Sequence, residues 1–111
     1  MRIFNFGSLN IDHVYRVNEL VSPGATISAS DYQQYCGGKG LNQSIALARA
    51  GASVVHVGVL GRDGDLLQQQ LQADGVDTSM IRRIDAASGH AVIQVSDAGD
   101  NAIIIHPGAN Q

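Results

Sequence analysis

The chain has 111 residues, of which 44% are apolar and 15% are charged, and its net charge is −3, values typical of one soluble globular domain or one lobe of a larger one. Its seven basic residues are scattered, and no apolar run approaches the ~18 residues of a membrane span, so we expect neither a nucleic-acid nor a membrane partner. Because Cys36 is the single cysteine and no signal peptide is visible, we expect a cytoplasmic protein without an intrachain disulfide.

The first part of the chain predicts two kinds of strand. Residues 3–6 form a short apolar run that predicts a buried strand ending at Gly7. Residues 9–17 alternate apolar and polar side chains, which predicts a strand with one exposed face. A turn at residues 22–24 precedes another polar, extended stretch over residues 26–35. We expect these two polar stretches to form a small second sheet with one face in water.

The rest of the chain predicts a strand–helix–strand core. Residues 41–50 carry their apolar side chains on one helical face and are followed by Gly51, a common helix C-terminal residue. Residues 54–60 are almost continuously apolar and β-branched, which favours a central parallel strand covered on both faces. Residues 65–73 predict a second helix. Further strands are expected over residues 80–84, 91–95 and 102–106. The order predicts an α/β fold with a parallel-type central sheet and flanking helices.

Asn10 and Asp12 follow the first predicted strand. In open α/β sheets, ligands bind beyond the carboxyl ends of the strands, and strand alternation places these two side chains on one face. An ionised carboxylate accepts hydrogen bonds from two neighbouring hydroxyls, so a vicinal diol is a natural ligand for Asp12. Taken alone, Asp12 is also compatible with a solvated turn residue.

A glycine-rich segment, residues 37–43 with the sequence GGKGLNQ, lies where an extended stretch becomes a helix. Glycine lets the backbone approach a ligand closely, and the helix start offers unpaired N–H groups and a partial positive charge. Lys39 adds a full charge, and Asn42 adds both a donor and an acceptor. The set suits a small ligand rich in hydroxyls. A Walker A loop and a dinucleotide-binding loop are excluded, because Gln33, Gly40 and Gln43 stand at positions where those motifs need other residues.

Three segments together resemble the ribokinase-like family of carbohydrate kinases: residues 7–12 (GSLNID), residues 37–43, and residues 106–110 (HPGAN). They occur in that family's order, and Lys39 after the double glycine resembles the ribokinase branch. The resemblance implies a partial ribokinase-like fold with a small amphipathic β lid. It also implies an ATP-dependent kinase that transfers a phosphoryl group to a primary hydroxyl of a pentose such as ribose.

The resemblance assigns roles to matching residues and strands. It implies that the sugar is bound by Asn10, Asp12, Gly38, Lys39 and Asn42. The polar strands, about residues 13–18 and 26–36, would form a lid that covers the sugar and that often mediates dimerisation. A closed lid excludes water from phosphoryl transfer. We therefore expect a small-molecule sugar as partner, and a homo-oligomer formed through the lid or an exposed sheet edge.

The resemblance covers residues 1–111 but only about the first third of a typical family member. The family's later motifs, which supply the catalytic aspartate, the anion hole and the sites for ATP and Mg²⁺, have no match here, so no catalytic residue is assigned. The resemblance also leaves open a dependence of the full enzyme on a monovalent cation. We expect residues 1–111 to be the substrate-side part of the enzyme and, alone, not to phosphorylate sugar.

Other interpretations stay open. One is a non-catalytic, truncated binding or oligomerisation module, and another is a nucleoside or ketose kinase of the same fold. The four histidines lack the spacing of a helical or finger-type metal site, and we expect His56, within an apolar run, to be a core histidine. Asp63 or Asp65 is expected to cap the second helix.

Overall fold

The computed structural model describes residues 2–111 as an α/β fold with two sheets. In chain order its elements are β1 (Arg2–Phe6), β2 (Asn10–Val17), β3 (Asp31–Gly37), α1 (Lys39–Arg49), β4 (Ser53–Leu60), α2 (Asp65–Ala73), β5 (Ile81–Arg83), β6 (Gly89–Ser96), β7 (Asn101–His106) and a 3₁₀ turn (Gly108–Asn110). No helix within residues 2–111 is long and apolar enough to cross a lipid bilayer.

The first sheet is parallel and three-stranded, with the order β1-β4-β5. Its central strand β4 is the β-branched run expected from the sequence, and this confirms the predicted parallel core. Helices α1 and α2 cover one face. The buried core on this side joins side chains of the helices, of β4 and of the start of β2, namely Ile11, Leu41, Val54, Leu60, Leu67 and Leu71.

The opposite face of the first sheet carries exposed aromatic side chains. Asn5 of β1 faces α1, where it hydrogen-bonds Ser44 and Gly40. Phe4 and Phe6 alternate with Asn5 and therefore point to the other side of the sheet. Phe4 is 49% exposed and Phe6 is 72% exposed. Within the described residues, Phe4 and Phe6 thus form an apolar surface open to solvent on β1.

The second sheet has four strands in the order β3-β2-β6-β7. Strand β2 pairs antiparallel with β3 and parallel with β6, and β6 pairs antiparallel with β7. The sequence predicted a small second sheet, and the hairpin of β6 and β7 enlarges it. Strand β3 begins at Asp31 rather than near residue 26, because the ladder of β2 and β3 starts at the pair Arg16–Asp31, and residues 18–30 belong to no strand.

The predicted caps of α2 are wrong, although the helix spans the expected residues. Its N-cap is Gly64, without a side-chain cap. The Asp63 carboxylate instead accepts the backbone N–H of Ser88 at 2.8 Å, and Asp65 pairs with Arg83 at 2.7 Å. Both aspartates are drawn away from the helix start by partners that are distant in sequence.

Candidate functional site

The candidate site is built where the loop after β1 meets the glycine-rich segment. A Cβ atom at Gly40 would lie 2.5 Å from Gly7 Cα and 2.6 Å from Ser8 N, so the two backbones touch only because residue 40 is glycine. The carbonyl of Ser8 accepts the N–H of Leu41 at 3.1 Å. The start of α1 is therefore fixed against the carboxyl end of β1, where α/β sheets usually bind ligands.

Gly38 lies in direct contact with the start of β2. It is the N-cap of α1 and has φ = 99°, a conformation that other residues rarely adopt. A Cβ atom here would lie 2.7 Å from Ser8 O and 3.1 Å from Asn10 N. A side chain at this position is therefore excluded twice, by the backbone angle and by the neighbouring chain.

The Asp12 side chain packs against the glycine-rich segment because Gly37 has no side chain. Asn10 and Asp12 lie two residues apart on β2, and Gly37 pairs with Asn10 across the sheet. A Cβ atom at Gly37 would lie 2.8 Å from Asp12 Oδ2. The Asp12 carboxylate thus occupies the space that a side chain at position 37 would fill, immediately before Gly38.

The surroundings of Asp12 alter two ionisations. Burial raises the pKa of the Asp12 carboxyl, and the neighbouring His13 partly offsets this. Cys36 precedes Gly37, and burial together with the negative charge of Asp12 raises the pKa of its thiol. The thiol therefore stays protonated beside an ionised Asp12. The carboxylate is left in a half-buried position where hydrogen-bond donors from a ligand would stabilise its charge.

Lys39 and Asn42 lie on the exposed side of the first turn of α1. Residues three apart share a helix face, so the two side chains are neighbours. Asn42 also lines a cavity of about 380 Å³ between β3, α1 and α2, together with Tyr35 and Cys36. Asp12 and Lys39 are not among the residues that line this cavity. The structure thus brings Asn10 against Gly38 and Asp12 against Gly37. Lys39 and Asn42 lie on α1, and of these two only Asn42 lines the cavity.

The contacts of Asn110 were not predicted from the sequence. This residue ends the 3₁₀ turn, and its side-chain amide hydrogen-bonds both the backbone of Leu9 and the side chain of Asn10. The sequence marked Asn110 only as part of the segment at residues 106–110. The contact joins residues about a hundred positions apart, and no local pattern signals it.

The loop after β1, the start of β2 and the start of α1 carry one carboxylate, side-chain amides, an ammonium group and the backbone N–H groups of a helix start. Such groups bind hydroxyls and other small polar groups. Within residues 2–111 there is no cluster of three or more His, Cys, Asp or Glu side chains suited to a metal ion.

Comparison with known proteins gives a consistent result. The sequence profile of the pfkB family carbohydrate kinases matches residues 2–111. A ribokinase of Haemophilus influenzae is 38% identical over 107 residues, which cover 94% of this chain and 35% of that protein. The crystal structure of ribokinase from Cryptococcus neoformans var. grubii serotype A in complex with ADP matches with a TM-score of 0.93 and 40% identity, over 97% of this chain and 35% of that one. Arabidopsis thaliana ribokinase complexed with ribose and ATP matches with a TM-score of 0.91 and 36% identity, over 98% of this chain and 36% of that one.

Proposed function

This chain belongs to the pfkB family of carbohydrate kinases, and on that premise we propose that it is the amino-terminal, sugar-binding part of an ATP-dependent kinase that phosphorylates a primary hydroxyl of a pentose such as ribose. The chain spans 35% of the length of the H. influenzae ribokinase that it resembles. The similar Arabidopsis structure was solved with ribose and ATP, which supports a pentose as the sugar.

The contact between Asp12 and the glycine-rich segment is the observation that carries this proposal. The carboxylate lies over Gly37, the residue before Gly38, with its charge partly withdrawn from water. A pair of sugar hydroxyls would donate to its two oxygens, and each hydrogen bond to a charged group contributes about 1.5–3 kcal/mol. We assign Asp12 as the main anchor of the sugar.

The other residues complete the polar lining. Asn10 and Asn42 would hydrogen-bond further hydroxyls, the backbone at Gly38 would lie against the sugar, and Lys39 would contribute its positive charge. The second sheet, which includes β2 and β3, would act as the lid that covers the bound sugar. Holding a hydroxyl in position and excluding water are the contributions that phosphoryl transfer asks of a substrate-side part.

The remaining chemistry is assigned outside these residues. Phosphoryl transfer also needs a group that accepts the hydroxyl proton, a site for ATP, and Mg²⁺ to neutralise the phosphate charge. None of these roles is assigned to residues 1–111. We therefore propose that the purified 111-residue chain binds sugar without phosphorylating it, and robust ADP production that depends on both ATP and ribose would overturn this part of the proposal.

Isothermal titration with ribose tests the proposed binding. We expect millimolar or tighter binding to the unaltered chain and a loss of at least about tenfold in Asp12→Asn, which keeps the size of the side chain but removes its charge. Asp97→Asn, the same change at an exposed position of the β6–β7 turn, is the matched control and should bind as the unaltered chain does. Equal affinity in Asp12→Asn would contradict the assignment of the anchor. Absence of ribose binding together with stable self-association would favour a binding or oligomerisation module.

A thermal-shift panel addresses the class of sugar. A ligand that binds only the folded state raises its melting temperature, and at one concentration the rise increases with the logarithm of the affinity. Pentoses, ketoses and nucleosides should be compared at one concentration. We expect ribose to give the largest rise, and a larger rise with a nucleoside would redirect the proposal within the same fold.

A further inference from the structure

The side-chain amide of Asn110 makes two hydrogen bonds with the backbone of Leu9. Its Oδ1 accepts the Leu9 N–H at 2.9 Å, and its Nδ2 donates to the Leu9 carbonyl at 3.1 Å. A backbone N–H can only donate and a backbone carbonyl can only accept. Leu9 therefore determines which end of the Asn110 amide is oxygen and which is nitrogen.

The orientation of the Asn110 amide also fixes that of the neighbouring Asn10 side chain. The Nδ2 of Asn110 lies 2.6 Å from Asn10 Oδ1 and donates to it, so the oxygen of Asn10 is engaged and its Nδ2 faces the other way. We propose that Asn110 is a positioning residue, which holds the Asn10 amide so that its Nδ2 hydrogens point into the sugar site. The inference rests on the proposed function, and it adds that Asn10 acts there as a donor.

Gly89 makes room for this pair. It lies on β6 directly opposite Asn10. A Cβ atom at Gly89 would overlap Asn110 Nδ2 and would lie 2.5 Å from Asn10 Oδ1. Any side chain at position 89 would separate the two amides, so the close contact between Asn10 and Asn110 depends on this glycine as well as on the hydrogen bond.

The consequence is that β2 presents hydrogen-bond donors at Asn10 and acceptors at Asp12. Asp12 is ionised and can only accept hydrogen bonds, whereas the fixed Asn10 amide offers donors two residues away on the same face. A ligand must therefore present hydroxyl hydrogens to Asp12 and an oxygen lone pair to Asn10. A sugar oxygen is the matching acceptor, and a deoxy sugar that lacks this oxygen would leave the Asn10 donor unpaired.

Side-chain amide hydrogen exchange tests the orientation without any ligand. In the unaltered chain, the Asn110 amide hydrogens should exchange with water at least about tenfold more slowly than those of Asn10, because only the former are hydrogen-bonded. In Asn110→Asp the new carboxylate can only accept, so Asn10 should turn its Nδ2 towards it and its amide hydrogens should become protected. Equal protection of both amides in the unaltered chain would overturn the inference.

Ribose titration tests the consequence for binding. Asn110→Asp should weaken ribose binding about tenfold, whereas Asn101→Asp, the same change at an exposed position of β7, should leave it unchanged. A folded Asn110→Asp variant with unaltered affinity would overturn the inference. Asn10→Asp is the second variant: it still accepts from Asn110 but lacks the donor, so it should lose about the same factor, and retained affinity would also count against the proposal.

The two proposals fail in different ways. If the unaltered chain does not bind ribose, the proposed function is wrong, but the exchange comparison of Asn10 with Asn110 still decides how the amide is held. If ribose binds and depends on Asp12 while Asn110→Asp changes nothing, the proposed function stands and the role of Asn110 is rejected.

Discussion

Replacing Ser44 with alanine would break a buried chain of hydrogen bonds under the glycine-rich segment. Asn5 Nδ2 donates to Ser44 Oγ at 2.9 Å, Ser44 Oγ lies 2.7 Å from His56 Nδ1, and His56 Nε2 lies 3.1 Å from the Gly7 carbonyl oxygen. Because that carbonyl can only accept, Nε2 carries the hydrogen and Nδ1 accepts from the Ser44 hydroxyl. The Ser44→Ala variant would leave Nδ1 of a fully buried histidine without a donor.

The size of the effect follows from two opposed contributions. An unsatisfied buried polar group costs about 1–3 kcal/mol. Alanine at position 44, inside α1, recovers about 0.5 kcal/mol through its higher helix propensity. We therefore expect the free energy of unfolding to fall by about 0.5–2.5 kcal/mol, which corresponds to a melting temperature lower by roughly 2–18 °C for a domain of this size.

Urea and thermal unfolding of the two variants Ser44→Ala and Gln43→Ala measure this effect. Gln43 is the exposed neighbour on α1, so its replacement reports the helix-propensity contribution alone. The Gln43→Ala variant should be as stable as the unaltered chain or slightly more so. A Ser44→Ala variant that unfolds within about 0.5 kcal/mol of the unaltered chain would refute the reasoning, because that is the range of neutral surface substitutions.

The same histidine gives the stability a pH dependence of known sign. Burial lowers the pKa of His56 below its usual 6.5. Below pH 6.5 the unfolded chain therefore binds more protons at His56 than the folded chain does. The stability that the neutral, buried His56 contributes is complete above pH 6.5 and is lost as the pH falls. This loss can reach about 1.4 kcal/mol per pH unit for one proton, and it should be absent from His56→Phe. Equal slopes below pH 6.5 for the two chains would contradict the assignment.

Further predictions concern the site and the open sheet face. Because burial raises the pKa of Asp12, ribose affinity should weaken on acidification at a higher pH than an ordinary aspartate would dictate, and calorimetry of Asp12→Asn should show a flatter pH dependence. An unaltered chain whose affinity falls no more steeply with pH than that of Asp12→Asn would contradict the role of the carboxylate. Gly40→Ala should destabilise by at least about 2 kcal/mol in urea unfolding because its Cβ would collide with the backbone, whereas helix propensity alone predicts a gain of about 1 kcal/mol. Phe6→Lys should reduce self-association in analytical ultracentrifugation with little change in melting temperature, since Phe6 is 72% exposed; association as strong as in the unaltered chain would place the contact elsewhere.

Local patterns were sufficient for the elements of the core. The β-branched run at residues 54–60 became β4, and the helix predicted over residues 65–73 is α2. In both cases the periodicity of apolar side chains within one segment decides the structure, because each element buries one stripe or one run. The glycine-rich segment was also informative, since its glycines are required by close backbone contacts that the sequence alone could only suggest.

Contacts between distant segments were beyond this reasoning. The expected caps of α2 failed because Asp63 is held by Ser88, 25 residues away. The alternation in residues 9–17 predicted a strand but could not name β6 as its parallel neighbour. Asp12 was recognised as a ligand-binding candidate, yet its placement depends on the absent side chain of Gly37 on another strand. Sequence patterns identify the participants, whereas the pairing of strands decides which of them meet.

The position of β2 between β3 and β6 has a consequence for the order of folding. The antiparallel partner β3 follows β2 closely in the chain, so this hairpin can form soon after both segments leave the ribosome. The parallel partner β6 begins only at Gly89, and long-range parallel pairing is intrinsically slow because a large loop must close first. The strand that carries Asn10 and Asp12 therefore acquires its second neighbour late, and in a nascent chain the proposed sugar site would be complete only after most of these residues have been synthesised.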